Sequence, residues 1–154
     1  MPLINYESLA DVRKLVGSEI GVSPIMRIDQ QRIDDFAEIT GDNQWIHNDP
    51  KLAADGPYGV TIAHGFLILS LITGLECQSY TISDVKVRIN YGLDRLRFIT
   101  PLKVNSDIYL TTKLIAVEDC KSGVKMYKEN TIICPTETKP ILSVERITLV
   151  KLDD

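Results

Sequence analysis

At 154 residues, with 44% apolar and 25% charged residues, the chain has the size and balance of one globular domain spanning 1–154. A chain of that length buries roughly 70% of its unfolded surface, so its core needs neither disulfide nor metal. The net charge of -4 argues against a non-specific nucleic-acid binder, a class that is ordinarily basic.

The N-terminus, MPLINYESLADVRKL, has no basic start followed by an apolar run, and no secretory signal is expected. Leu9, Val12 and Val16 recur at helical spacing after Asn5, and Gly17 follows as a stop, which predicts a first helix. An extended piece is predicted over Ser23 to Ile28, broken by Pro24. A second helix is marked by Asp29 as its N-cap, by Ile33, Phe36 and Ala37 on one face, and by Gly41 at its end. Asp49-Pro50 reads as a cap followed by proline at the first position of a short helix, which Asp55-Gly56-Pro57 stops. Gly41 to Asn48 is then predicted to be a loop between two helices.

From Ala63 to Leu75 the pattern is apolar all round, which predicts a helix enclosed by the rest of the domain. Ile62 to Leu75 is too short to span a bilayer, so no membrane association is expected. After it the character changes. Val85 to Tyr91, Leu96 to Ile99, Asp107 to Glu118, Val124 to Cys134 and Ile141 to Leu152 read as strands, with turns at Asp119 to Gly123 and Pro135 to Pro140. Helices first and long antiparallel strands afterwards predict an α+β domain, with the sheet curled around the apolar helix.

Two features carry chemistry. Asp42 and His47 lie five positions apart between Gly41 and Pro50. On one helix they would face different ways, whereas a loop lets them converge as a carboxylate–imidazole acid/base pair. The plainer alternative is that Asp42 caps a turn and His47 packs beside Trp45. The second feature is Thr61-Ile62-Ala63-His64-Gly65-Phe66 at the start of the apolar helix. A helix N-terminus offers free N–H groups, and the Gly65 amide could hold a carbonyl oxygen that gains charge. The alternative is a glycine kept for close packing, with His64 a buried, hydrogen-bonded histidine.

Other candidates are weaker. Ser70 has no histidine at short spacing, and Cys77 reads as structural. Arg95, Arg97 and Lys103 read as solvated, as do the acidic pairs Asp34-Asp35 and Asp153-Asp154. Cys77, Cys120 and Cys134 are far apart and no CxxC exists, so no metal site is expected and a reducing, cytoplasmic setting is. No phosphate-binding loop is present.

The run Phe36-Ala37-Glu38-Ile39-Thr40-Gly41-Asp42-Asn43-Gln44-Trp45-Ile46-His47 resembles the hydratase motif of the MaoC-like dehydratases, a family that includes the R-specific enoyl-CoA hydratases. Ile62-Ala63-His64-Gly65-Phe66-Leu67 resembles the start of that family's central helix. Asn90-Tyr91-Gly92 and Arg97-Phe98 with Pro101 resemble its downstream strand signature. Gln44-Trp45-Ile46-His47 is similar, more narrowly, to the nodulation-protein N branch. The resemblance implies a hot-dog fold, a homodimer, and addition or removal of water at the 2,3 double bond of an acyl group carried by coenzyme A or acyl carrier protein. It implies Asp42 and His47 as the catalytic pair, Gly65 as the carbonyl-polarising amide, and no cofactor. Gln44, Trp45, His64 and Phe66 are expected to contact the substrate. The hydratases carry asparagine then proline where this chain has Gln44 and Trp45, and the bulk of Trp45 is expected to narrow the acyl tunnel. Thioester hydrolysis, a non-catalytic acyl-thioester binder and a structural subunit are the rival readings.

Overall fold

The computed structural model describes residues 2–152, so the acidic pair Asp153-Asp154 lies outside the described residues. In chain order the elements are β1 (Ile4–Tyr6), α1 (Leu9–Arg13), β2 (Glu19–Val22), β3 (Met26–Ile28), α2 (Gln30–Thr40), α3 (Trp45–Asn48), α4 (Pro50–Ala54), α5 (Gly65–Cys77), β4 (Tyr80–Ile82), β5 (Val85–Phe98), β6 (Ser106–Cys120), β7 (Gly123–Ile133) and β8 (Leu142–Leu152). β2, β6, β7, β8 and β5 lie side by side in that order, and β3 pairs with β6 beyond β2. Every pairing in this sheet is antiparallel. The alternation along β6 to β8 places Ile108, Leu110, Leu114, Ile132, Leu142 and Val144 on the face that packs against α5. This is the α+β hot-dog arrangement, a long sheet wrapped around a central helix.

α2 starts and stops where its sequence signals lie. The Asp29 side chain accepts from the Arg32 N–H, and Gly41 closes the helix at φ 78°, a left-handed conformation that glycine adopts without penalty. Asp49 caps α4 through the N–H groups of Lys51 and Leu52, ahead of Pro50.

Three expectations are corrected, and one strand is added to them. The first helix spans only Leu9–Arg13, with Ser8 as its cap, because Leu15 and Ser18 already close tight turns onto Val12 and Leu15. Val16 therefore leaves the core and is exposed. β1 was not foreseen. It is a three-residue strand paired in parallel with β4, too short to carry a periodic signal. Val85 to Tyr91 and Leu96 to Ile99 are one strand, β5, which stays paired to β8 across register shifts that break the alternation. Finally, α5 is not enclosed all round: Phe66, Ser70, Thr73 and Cys77 form an exposed stripe at helical spacing.

The core is divided. One apolar cluster surrounds the first turns of α5, and another joins α1, β4 and the far ends of β6 to β8. Between them runs a band of buried polar side chains: Thr112, Asn130, Lys128, Arg146 and Thr148 from the sheet, facing Glu76 of α5. The Glu76 carboxylate accepts from Lys128 Nζ at 2.7 Å, from Arg146 Nη1 at 3.0 Å and from the Tyr80 hydroxyl at 3.1 Å. Burial pushes the Glu76 carboxyl up, but Lys128 and Arg146 outweigh it and hold it at about 2. Burial also drives Lys128 down, to about 8, against the pull of Glu76, and the like charge of Arg146 adds to the fall.

Candidate active site

Asp42 and His47 do not share a loop as expected. Residues 45–48 close a helical turn, α3, in which the His47 and Asn48 N–H groups donate to the Gln44 carbonyl. Between the left-handed Gly41 and the extended Gln44 the chain is irregular, and Asp42 sits in that short connection. The outcome anticipated from a loop is still met. One donor atom each from Asp42, His47 and His64 lies within 4.8 Å of the other two.

Each member is held by backbone or by a neighbouring amide. His47 Nδ1 lies 2.7 Å from the Ile62 carbonyl oxygen. A carbonyl only accepts, so Nδ1 carries the proton and Nε2 keeps a free lone pair. The Gln30 amide donates to the His47 carbonyl at 2.8 Å, while its oxygen accepts from the Thr61 hydroxyl. Gln30 thereby ties α2, α3 and the segment before α5 together. His64 Nε2 donates to the Asp42 backbone carbonyl at 3.0 Å, leaving Nδ1 as a buried atom without a partner. The Gln44 amide donates to Asp42 Oδ1 at 3.2 Å.

The His47 and His64 rings stack, with centroids 3.9 Å apart and planes inclined by 26°. His47 is 6% exposed. Burial lowers its pKa first, the bond to Ile62 opposes that, His64 lowers it further and Asp42 raises it, and the net direction is down. His47 is accordingly a neutral imidazole near pH 7, with Nε2 ready to take a proton. The three side chains have the composition of a metal site. A carboxylate beside a neutral imidazole is equally the composition of an acid/base pair. The arrangement suits proton transfer.

Gly65 is the first residue of α5, and the preceding His64 makes no side-chain cap. The first-turn N–H groups thus have no partner inside the helix. A cavity of about 330 Å³ opens there, lined by His47 and Gly65 together with Phe66, Phe98, Leu102 and Ile141. A Cβ on Gly65 would lie 2.9 Å from the Phe98 ring, so glycine allows this close approach. Of the residues named from sequence, His47, Gly65 and Phe66 line the cavity, and Asp42 and His64 lie beside His47 outside that lining. Trp45 does neither. Its ring packs over Gly56 and is half exposed, outside the lining, so its bulk does not narrow this cavity.

Sequence reasoning missed Gln30, Phe98 as a wall, and the Ile62 carbonyl. Phe98 stood within the strand signature Arg97-Phe98. Gln30 gave no signal, because an amide in the first turn of a helix is ordinarily solvated.

The MaoC like domain family matches residues 11–134. The chain is 43% identical over 143 residues to 3-hydroxyacyl-thioester dehydratase Z of Mycobacterium tuberculosis, covering 92% of this chain and 95% of that protein. It is 38% identical over 152 residues to nodulation protein N of Rhizobium leguminosarum bv. viciae, covering 95% and 92%. Among solved structures, an unliganded R-hydratase from Pseudomonas aeruginosa superposes with a TM-score of 0.73 at 21% identity, over 90% of this chain and 83% of that one. With matched fold, matched motifs and relatives that align along nearly their whole length, the chain belongs to the MaoC-like domain family.

Proposed function

We propose that the chain is an acyl-thioester hydratase/dehydratase that interconverts a 2-enoyl and a 3-hydroxyacyl thioester. The observation that carries this reading is the convergence of Asp42 and a neutral, buried His47 beside the free N–H groups that open α5. Dehydratase Z is named for the same chemistry, which supports the reaction type.

In the hydration direction the Gly65 amide holds the thioester carbonyl and takes up the charge of the developing enolate. His47 Nε2 accepts a proton from a water held against the Asp42 carboxylate, and the hydroxide bonds to the β-carbon. The proton taken from water returns through the same pair to the α-carbon, so that one H2O is added in all. The apolar cavity beside Gly65 orients the acyl group. The carrier is coenzyme A or acyl carrier protein, and the free cysteines Cys77, Cys120 and Cys134 fit a cytoplasmic setting.

The working form in this reading is a homodimer. β5 is the 14-residue edge of the sheet and exposes Val87, Ile89, Tyr91 and Leu93, an apolar row that a second copy would cover by edge pairing. The function is tested with 2-enoyl thioesters of increasing length. Loss of the conjugated double bond without thiol release supports hydration, and thiol release supports thioester hydrolysis.

A further inference from the structure

The α3 turn is joined directly to the segment ahead of α5. The Ile62 N–H donates to the Ile46 carbonyl at 3.0 Å, and His47 Nδ1 donates to the Ile62 carbonyl at 2.7 Å. A further link runs through a side chain that belongs to neither segment. Gln30, half-buried at the first position of α2, donates through Nε2 to the His47 carbonyl at 2.8 Å and accepts through Oε1 from the Thr61 hydroxyl. Thr61 is 1% exposed, and its own carbonyl is taken by the Val104 N–H at 2.9 Å. One planar amide thus spans from the backbone of His47 to the residue just before Ile62, whose carbonyl fixes the imidazole.

The chemistry of these partners suits an amide. The His47 carbonyl and Asp34 Oδ1, each 2.8 Å from Nε2, both accept, and the Thr61 hydroxyl donates. A glutamine offers two N–H donors and one acceptor oxygen, which meets all three. A glutamate of the same shape has no donor for either acceptor, and a methionine fills the space while meeting none of the partners.

Gln30 lies outside the cavity lining, so it acts on the chemistry through His47. A neutral imidazole has two tautomers, and the partner of one nitrogen decides which is present. That choice depends on the Ile62 carbonyl staying in line with Nδ1, because a hydrogen bond weakens steeply as it bends. We propose that Gln30, held by Thr61, is a positioning residue for His47: its amide sets the α3 turn against residues 61–62, which keeps the proton on Nδ1 and leaves Nε2 free toward the cavity. The effect on turnover rests on the hydratase reading, whereas the tautomer does not.

The test is the His47 tautomer, read by long-range proton–nitrogen correlation NMR of the full-length, tag-free protein labelled in its two histidines, with His47→Gln used to assign the signals. The wild type is expected to show His47 protonated at Nδ1. Gln30→Met and Thr61→Val keep the bulk and remove the hydrogen bonds. Each is expected to give a mixture of His47 tautomers while circular dichroism stays native. Thr61→Ser, which keeps the hydroxyl, is expected to retain the wild-type spectrum. On a 2-enoyl thioester Gln30→Met is expected to lower kcat about tenfold or more with KM within about twofold of wild type, because proton transfer and not binding is impaired. An unchanged His47 tautomer in Gln30→Met overturns the proposal, whatever its thermal stability. If that variant is not folded, an unchanged tautomer in Thr61→Val overturns it. A wild-type His47 protonated at Nε2, or a mixed tautomer with unchanged kcat, overturns it as well. Absence of wild-type turnover on every enoyl thioester refutes the hydratase reading, and the spectra then decide the positioning role by themselves.

Discussion

The imidazole of His47 lies flat on that of His64, with ring centroids 3.9 Å apart, yet the two rings are anchored to different carbonyls. His47 Nδ1 is fixed by Ile62, and His64 Nε2 by the backbone of Asp42 itself. One histidine is thereby left with a basic nitrogen at the cavity, and the other braces the carboxylate-bearing connection.

From this arrangement Asp42→Asn and His47→Gln are each expected to lower turnover by about 10²-fold or more, the usual scale for acid/base groups. The double variant is expected to be little slower than either single one, because both groups are proposed to act on one water. Rates close to wild type in either single variant, with the fold intact by circular dichroism, would remove the pair from the mechanism.

The pH dependence separates the histidines. Burial lowers the His47 pKa below its ordinary value of 6.5, so the form that accepts a proton predominates at and above neutrality. Hydration kcat/KM is expected to fall as pH drops through a value below 6.5. The folding stability linked to His47 has the same sign, being present above 6.5 and lost at lower pH as the unfolded chain binds a proton that the folded one resists. His47→Ala should abolish the kinetic ionisation and His64→Ala should keep it at reduced activity. The reverse pattern would exchange their roles.

The polar band through the core makes a separate contribution to stability. Glu76→Leu leaves Lys128 and Arg146 buried without their carboxylate and is expected to cost about 3–5 kcal/mol in urea denaturation. The carboxyl held at about 2 contributes stability above its ordinary 4.5, lost as pH falls from there toward 2. Lys128, depressed to about 8, acts at the other end of the scale. The unfolded chain keeps that proton up to 10.5, so stability linked to this group rises between about 8 and 10.5.

Edge pairing through β5 predicts a dimer by light scattering at micromolar concentration. Ile89→Lys adds a charge to the exposed apolar row and is expected to shift the protein toward monomer. A wild-type monomer with full activity would contradict the dimeric form.

Much of the fold was legible because local signals were strong: Asp29 and Gly41 bracket α2, Asp49-Pro50 opens α4, and alternation marks β6 to β8. The motif around Asp42 and His47 was legible as a spacing, and so was the helix start at Gly65. What escaped depends on contacts distant in sequence. No local pattern reveals that Ile62 fixes the His47 tautomer from 15 residues away. None reveals that Trp45 covers Gly56 instead of the cavity. A lone glutamate in the apolar helix gave no indication that its partners are Lys128 and Arg146, 52 and 70 residues onward. The exposed stripe of α5 escaped for a related reason, since an all-apolar period cannot indicate which side the sheet leaves open.

The proposed chemistry meets its most direct test in hydration of a 2-enoyl thioester by the wild type beside His47→Gln, with chiral analysis of the alcohol and a parallel thiol assay. Acid/base catalysis by Asp42 and His47 predicts rapid loss of the conjugated double bond, a single 3-hydroxyacyl enantiomer and no free thiol. It also predicts a rate at least about 10²-fold lower in the variant. Release of free thiol with the double bond intact, or equal hydration rates in the two proteins, would contradict it.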